Sequence, residues 1–192
     1  KYRIYPKRAQ EALLDDVLLA CRWVYNQALE VRKPAQETSG INLSWYDTQG
    51  MLPAWKNEHA FLKKAYAQVL QNANIRLDLA MKAFYRRVQN RETPGYPRFL
   101  GRVRYNSFTF PQAGSRGGFK LMSEGKLDVS KIGRIKIVLH RPIEGTIKTL
   151  TIKRTSTGKW FASFACEIEP SILPANPKVV GIDVGLTKFA TL

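Results

Sequence analysis

The sequence predicts an α+β chain: a block of helices inserted into a small β-barrel, followed by the first hairpin of a further domain. Three observations lead there. Up to about Asn90, apolar residues recur at spacings of three and four, the period of helices with one buried face. After Thr93-Pro94-Gly95 the pattern changes to alternating or β-branched stretches separated by glycines, which suits a small barrel or sandwich. A lone strand, Tyr2-Arg3-Ile4-Tyr5, precedes the helices and ends at Pro6. It is too short to stand alone, so it is expected to pair into the later barrel and make the helices an insertion.

The elements follow in order. From about Lys7 to Lys33, Leu14, Val17, Leu18, Cys21, Val24, Tyr25, Ala28 and Leu29 form one apolar face, and Pro34 and Gly40 are expected to close the helix. Ser44 followed by Asp47 predicts the capped start of a short helix ending near Gly50. A second long helix is expected from about Glu58 to Asn90. Its buried stripe is Leu62, Ala65, Val69, Ala73, Leu77, Ala80, Phe84 and Val88. Strands are expected at Phe108–Phe110, Phe119–Met122, Leu127–Val129, Ile135–Leu139, Thr146–Arg154 and Trp160–Glu169. Residues 172–177, rich in Pro and Ala, read as a linker. An apolar strand over Val179–Val184 then turns at Gly185 into the start of another.

Composition limits the function classes. The chain has 192 residues, 31 Lys plus Arg against 15 Asp plus Glu, and a net charge of +16. No apolar run approaches the roughly 20 residues that span a bilayer, and residues 1–10 lack the apolar core of a secretory signal. The two cysteines, Cys21 and Cys166, lack the spacing of a zinc site or a disulfide framework, so a reducing, cytoplasmic setting is expected. Residues 7–92 carry a net charge of +4 and residues 93–176 a net of +9. So basic a chain, with 11 % aromatics, points to a polyanion and first to nucleic acid. The absence of an initiator Met leads us to expect residues ahead of Lys1.

Three groups of residues carry chemistry. Asp183 ends a buried strand, and Gly185 lets the chain turn back, as in a ribonuclease-H-like fold presenting its first carboxylate. A buried unpaired carboxylate is costly, and Mg²⁺ would compensate it; two such ions can hold the attacking and leaving oxygens of a phosphodiester. A strand-end Asp in an Asx turn is a second reading. An actin-like ATPase opening is a third, weakened by Leu186 at the position after Gly185. The next group is the run Arg86, Arg87, Arg91, Arg98, Arg102 and Arg104, interleaved with Tyr85, Tyr96, Phe99 and Tyr105. Arg neutralises phosphates, and aromatic rings stack on unpaired bases; a solvated charged face is the alternative. The last is the polar and aromatic cluster Trp45, Tyr46, Gln49, Gln68, Gln71, Asn72 and Asn74, which either reads base edges or is a solvated helix face.

Tyr2-Arg3-Ile4-Tyr5-Pro6, Gln10, Arg22-Trp23-Val24-Tyr25-Asn26, Leu70-Gln71-Asn72, Gly95-Tyr96-Pro97-Arg98-Phe99 and Val180–Leu192 occur in one order along the chain. In that order they resemble the transposon-encoded TnpB proteins. The resemblance implies an RNA-guided DNA endonuclease, ancestral to the type V CRISPR effectors. Its parts would be the first strand of a wedge barrel (1–6), a helical recognition domain (7–93), the wedge β-barrel (94–173), and a linker with the start of a RuvC nuclease domain (174–192). The expected partners are a guide RNA and double-stranded DNA bearing a short target-adjacent motif. No membrane and a monomeric state are expected.

Residue by residue, the resemblance makes Asp183 the first catalytic, Mg²⁺-binding carboxylate of a two-metal site. Trp45, Tyr46, Gln71, Asn72, Asn106, Ser107, Phe108 and Thr109 would face the target-adjacent duplex. Arg3, Tyr5, Lys7, Arg98, Arg102 and Arg104, with Arg86, Arg87 and Arg91, would hold guide RNA or phosphates. The sequence departs from the family pattern in lacking a second carboxylate, a zinc ribbon and a final Asp, and in having Leu100 where Lys is frequent. A longer protein, with zinc in its later part, is therefore expected, and these residues alone should bind nucleic acid without cutting it. Two other functions fit the same residues: a guided repressor that never cleaves, and an unguided RNA- or DNA-binding barrel.

Overall fold

The computed structural model describes residues 1–40, 43–114 and 118–169. Strand β1, Tyr2–Tyr5, is followed by three helices: α1 (Arg8–Ser39), α2 (Trp45–Glu58) and α3 (Ala67–Gln89). Six strands complete the described chain: β2 (Ser107–Phe110), β3 (Phe119–Met122), β4 (Lys126–Val129), β5 (Gly133–Val138), β6 (Thr146–Arg154) and β7 (Trp160–Glu167).

All eight apolar positions expected on the inner face of α1 are buried, from Leu14 to Leu29. Cys21 sits among them, and burial pushes its thiol up to about 12. The end of α1 corrects the sequence reading. Pro34 removes one rung of the hydrogen-bond ladder without stopping the helix, which runs on to Ser39. The stop comes at Gly40, whose φ of +63° is left-handed.

α2 begins as expected, with a reciprocal capping box between Ser44 and Asp47, but it passes through Gly50 and Pro53 and ends at Glu58. Tertiary contact outweighs local propensity here: Leu52 and Trp55 are buried, and the Trp55 ring meets Trp23 of α1 edge-on at 5.7 Å. The expected single helix from Glu58 to Asn90 is also divided. A 3₁₀ turn, Ala60–Lys64, is followed by extended backbone at Ala65 and Tyr66 before α3 starts. The break buries Leu62 and sets the Tyr66 ring 6.0 Å from that of Phe110. The buried stripe of α3 runs from Val69 to Met81, after which the helix leaves the core and Val88 is exposed.

The strands form one antiparallel sheet in the order β2-β6-β7-β1-β5-β4-β3. β1 lies near its middle, paired with β5 on one side and β7 on the other, although the helices separate it in sequence from both. Alternate side chains fill the interior, among them Ile4, Phe108, Phe110, Leu127, Ile135, Leu150 and Trp160. The sheet nearly closes into a barrel. Beyond the outer strands, Gly114 bridges to Phe119, and the Phe110 and Phe119 rings are 6.0 Å apart. Closure needs glycine at 118: its φ is +84°, and a Cβ there would come within 2.7 Å of the Tyr66 ring and 2.9 Å of Phe110.

Helices and barrel share one hydrophobic core. At the rim, Gln10 of α1 donates to the carbonyl of Arg134 at 2.9 Å, and Asp15 accepts two bonds from Arg154 at 2.8 and 3.0 Å. The expected linker and RuvC hairpin, 174–192, lie outside the described residues.

Candidate nucleic-acid interface

α3 lies antiparallel on β2 and the segment after it, clamped at two points. Gln68 donates to Gln112 at 3.0 Å. Two turns on, Arg76 donates to the backbone oxygen of Ser107 at 2.6 Å and to the Thr109 hydroxyl at 2.8 Å. Eight helical residues span about 12 Å, close to the length of the facing extended stretch. Thr109 in turn shares a 2.8 Å bond with Thr151 of β6.

The clamp brings together two groups that the sequence places far apart, Gln71 and Asn72 of α3 and Asn106–Thr109 of the barrel. Gln71 is exposed and Asn72 half-buried, and neither hydrogen-bonds to a described residue. Ser107 and Thr109 point outward but are engaged by Arg76, while Phe108 points into the barrel and is buried. The expected contact by Phe108 therefore has no exposed side chain to make it. Arg76 went unnoticed in the sequence. Its signal was the spacing Gln68, Asn72, Arg76, which sets all three on one helix face.

Trp45 and Tyr46 join this surface through a polar network. Asn74 of α3 donates to the Trp45 carbonyl at 3.0 Å and to Gln49 at 3.3 Å, and accepts from the Thr48 hydroxyl at 2.9 Å. The buried Arg32 guanidinium meets Thr48 and Asp78, each at 3.4 Å. The start of α2 is thus fixed against α3, with the Trp45 and Tyr46 rings 4.0 Å apart and Tyr46 70 % exposed. An exposed aromatic stack, with the uncommitted Gln71 amide one turn along α3 from Asn74, can meet base edges and sugars.

A second surface covers the outside of the barrel. Strand register sets Lys153, Phe161, Arg3 and Val138 in one row, and Lys126, Lys136 and Tyr5 in another. The Arg3 guanidinium lies 5.2 Å from both the Tyr5 and Phe161 rings, and Lys1 lies 4.5 Å over Phe161. Lys126 and Lys136 face each other directly; Glu124 neutralises Lys126 at 2.6 Å, and Lys136 has no ion pair with a described residue. Of these residues the sequence had marked only Arg3 and Tyr5. The others follow from pairing β1 between β5 and β7. Lys7, just past β1, is exposed.

The basic run falls into two parts. Arg86 and Arg87 sit in the last turn of α3, which Arg91 closes in a Schellman motif: the N–H of Glu92 reaches Arg87 O at 2.9 Å, and that of Arg91 reaches Val88 O at 3.1 Å. Arg91 has a φ of 56°, in the left-handed region where glycine is usual. Arg98, Arg102 and Arg104 are exposed and make no ion pair with a described residue. Their segment turns at Arg102–Arg104 instead of staying extended throughout. Asn26 of α1 fastens it, accepting from the Leu100 N–H at 2.9 Å and donating to its carbonyl at 3.1 Å. Of the interleaved aromatics, Tyr105 is buried, Tyr85 and Tyr96 each pack on Phe84 at 5.2 Å, and Phe99 is left exposed.

Asp183 lies outside the described residues. Among the described residues no cluster of His, Cys, Asp or Glu could hold a metal ion, and no helix is long and apolar enough to cross a membrane.

Residues 1–40 match the model of a helix-turn-helix domain of the OrfB–IS605 type. Here those residues form a strand and one unbroken helix. Two curated relatives align with the whole chain at 32 % identity: “Putative RNA-guided DNA endonuclease InsQ” of Escherichia coli K12, and a protein of Streptomyces pristinaespiralis whose name also reads RNA-guided DNA endonuclease, with the same qualifier. The chain spans 46 % and 47 % of their lengths, about half of each. Both matches run the whole length of the chain, and together with the match over residues 1–40 they support the resemblance to the TnpB family.

Proposed function

We propose that this chain is the nucleic-acid-gripping part of an RNA-guided DNA endonuclease. The barrel exterior and the 98–104 segment hold a guide RNA. The surface formed by α3, the start of α2 and β2 faces a target-adjacent DNA motif. Asp183 holds Mg²⁺ as the first carboxylate of the cleavage site. One observation carries the reading: the exposed Tyr46 stacks on Trp45 at the start of α2, which Asn74 ties to α3 one turn from the exposed and uncommitted Gln71. Identity along the whole chain to relatives named for that activity supports it. The sequence contains the single candidate carboxylate Asp183, so on this reading these residues bind DNA without cutting it by themselves.

A plasmid-library depletion assay with the complete protein tests both sites. Gln71→Ala is expected to weaken or relax motif choice by about 1–3 kcal/mol, the worth of a good bidentate base contact. Asp183→Ala is expected to abolish cleavage while leaving guide and target binding intact. An unchanged motif preference would remove Gln71 from the reading surface, and continued cleavage would remove Asp183 from the metal site.

A further inference from the structure

α1 also has a face toward the 98–106 segment, and there the structure leaves two adjoining hollows. The larger, about 730 Å³, lies between α1, residues 102–106 and the β6–β7 turn. The smaller, about 230 Å³, continues along α1, and Arg22 lines both. The larger has an apolar floor of Leu18, Leu19 and Val103, with Leu19 43 % and Val103 86 % exposed. The smaller is walled by Trp23 and by Phe99, which is 52 % exposed. Asn26 holds the Leu100 backbone from both sides, so the wall carrying Phe99 is fixed before anything binds.

The charges in these hollows favour an anion. Asp15 is occupied by Arg154, and Asp16 by Lys64 at 2.9 Å. Arg22 and Arg102 have no partner among the described residues. Glu30, at the small hollow, is an acid without an ion pair to a described residue. Phosphate alone does not require exposed Leu, Val and Phe, and an apolar ligand alone does not require two free guanidinium groups. A nucleotide presents both faces: a flat base and a charged link. Bases in a duplex cannot enter a hollow, so the strand must be unpaired.

We infer that the two hollows seat consecutive unpaired bases of a single RNA strand, one against Trp23 and Phe99 and the next against Leu18, Leu19 and Val103. Arg22 lies at the phosphate between them and Arg102 at the phosphate beyond. The inference rests on the proposed RNA-binding function and adds a base-filled subsite to it.

The test uses the 192-residue chain and two fluorescent 12-residue ribose-phosphate strands, one fully abasic and one with two adjacent uridines at its centre. Each is titrated over a range of KCl concentrations. The two-uridine strand is expected to bind about tenfold more tightly or better, given the usual worth of stacking a base. Leu19→Ser combined with Val103→Ser, both at exposed positions, should bring that ratio toward one without changing the salt slope. Arg22→Ala and Arg102→Ala should each reduce the slope by about 0.7. Lys136→Ala, on the barrel exterior, should reduce the slope and leave the ratio intact. A ratio near one in the unmodified chain with a steep salt slope would overturn the base subsite and spare RNA binding. So would a ratio that the double substitution leaves unchanged. Binding that ignores salt would overturn the underlying reading as well.

Discussion

Arg91 occupies a position where stability and binding ask for different residues. Its φ of 56° in the Schellman turn is one that L side chains enter at a cost of about 1–2 kcal/mol. Arg91→Gly is therefore expected to raise the stability of the chain by about 1 kcal/mol, read as a higher urea midpoint with an unchanged slope. The same substitution should weaken RNA binding and lower its salt slope, since it removes a candidate phosphate contact. If the two properties moved together, the arginine would be there for the turn and not for an anion. The sequence could not disclose this tension. Arg91 was legible as one member of a basic run, but its backbone angle depends on where α3 ends. Arg76 was hidden for a related reason: a charge on a helix reads as solvated until the strand that receives it, at Ser107 and Thr109, is in place.

α2 is a helix held by its neighbours. Gly50 and Pro53 within it cost about 1 and 3 kcal/mol relative to alanine, too much for fourteen residues to fold unaided. The capping box returns about 1 kcal/mol, and the remainder comes from Leu52, Trp55 and the Asn74 network. Asn74→Ala is thus expected to speed amide hydrogen exchange in α2 at least tenfold, with little change in barrel strands β6 and β7. A pH dependence follows from Asp47. Hydrogen bonds from the Ser44 hydroxyl and then its backbone N–H hold this carboxyl below its usual value. A depressed acid stabilises the fold fully above its ordinary value and stops doing so as pH falls through the lowered one. α2 protection should accordingly fade below about pH 4. The start of α2 was readable because capping is local to Ser44 and Asp47. Its end was not, since Gly50 and Pro53 both signal a stop and only the contact of Trp55 with Trp23 overrides them. The break before α3 escaped notice likewise: Leu62, Ala65 and Val69 keep helical spacing across it.

The molecule as a whole is organised around its first strand. Ile4 is fully buried and Tyr2 nearly so, and β1 supplies the pairing that joins β5-β4-β3 to β7-β6-β2. Deleting residues 1–6 should therefore split the sheet into two halves with unpaired edges, and near-UV circular dichroism of the shortened chain should lose its tertiary signal. Retention of a cooperative barrel transition would mean that another segment can replace β1. That β1 belongs to the barrel was legible from its brevity and alternation; that it sits near the middle of the sheet was not, because nothing in four residues specifies a partner. The central placement has a consequence for synthesis. Tyr2 and Ala162, which face each other across the sheet, are 160 positions apart. At the usual pace of a ribosome the interval between them is roughly 8–30 s. During that time the helices, whose contacts are closer in sequence, can assemble while β1 waits with Tyr2 and Ile4 uncovered. The nascent chain thus carries an uncovered apolar strand until β7 emerges, and a chaperone shielding it would have the whole of this interval in which to act.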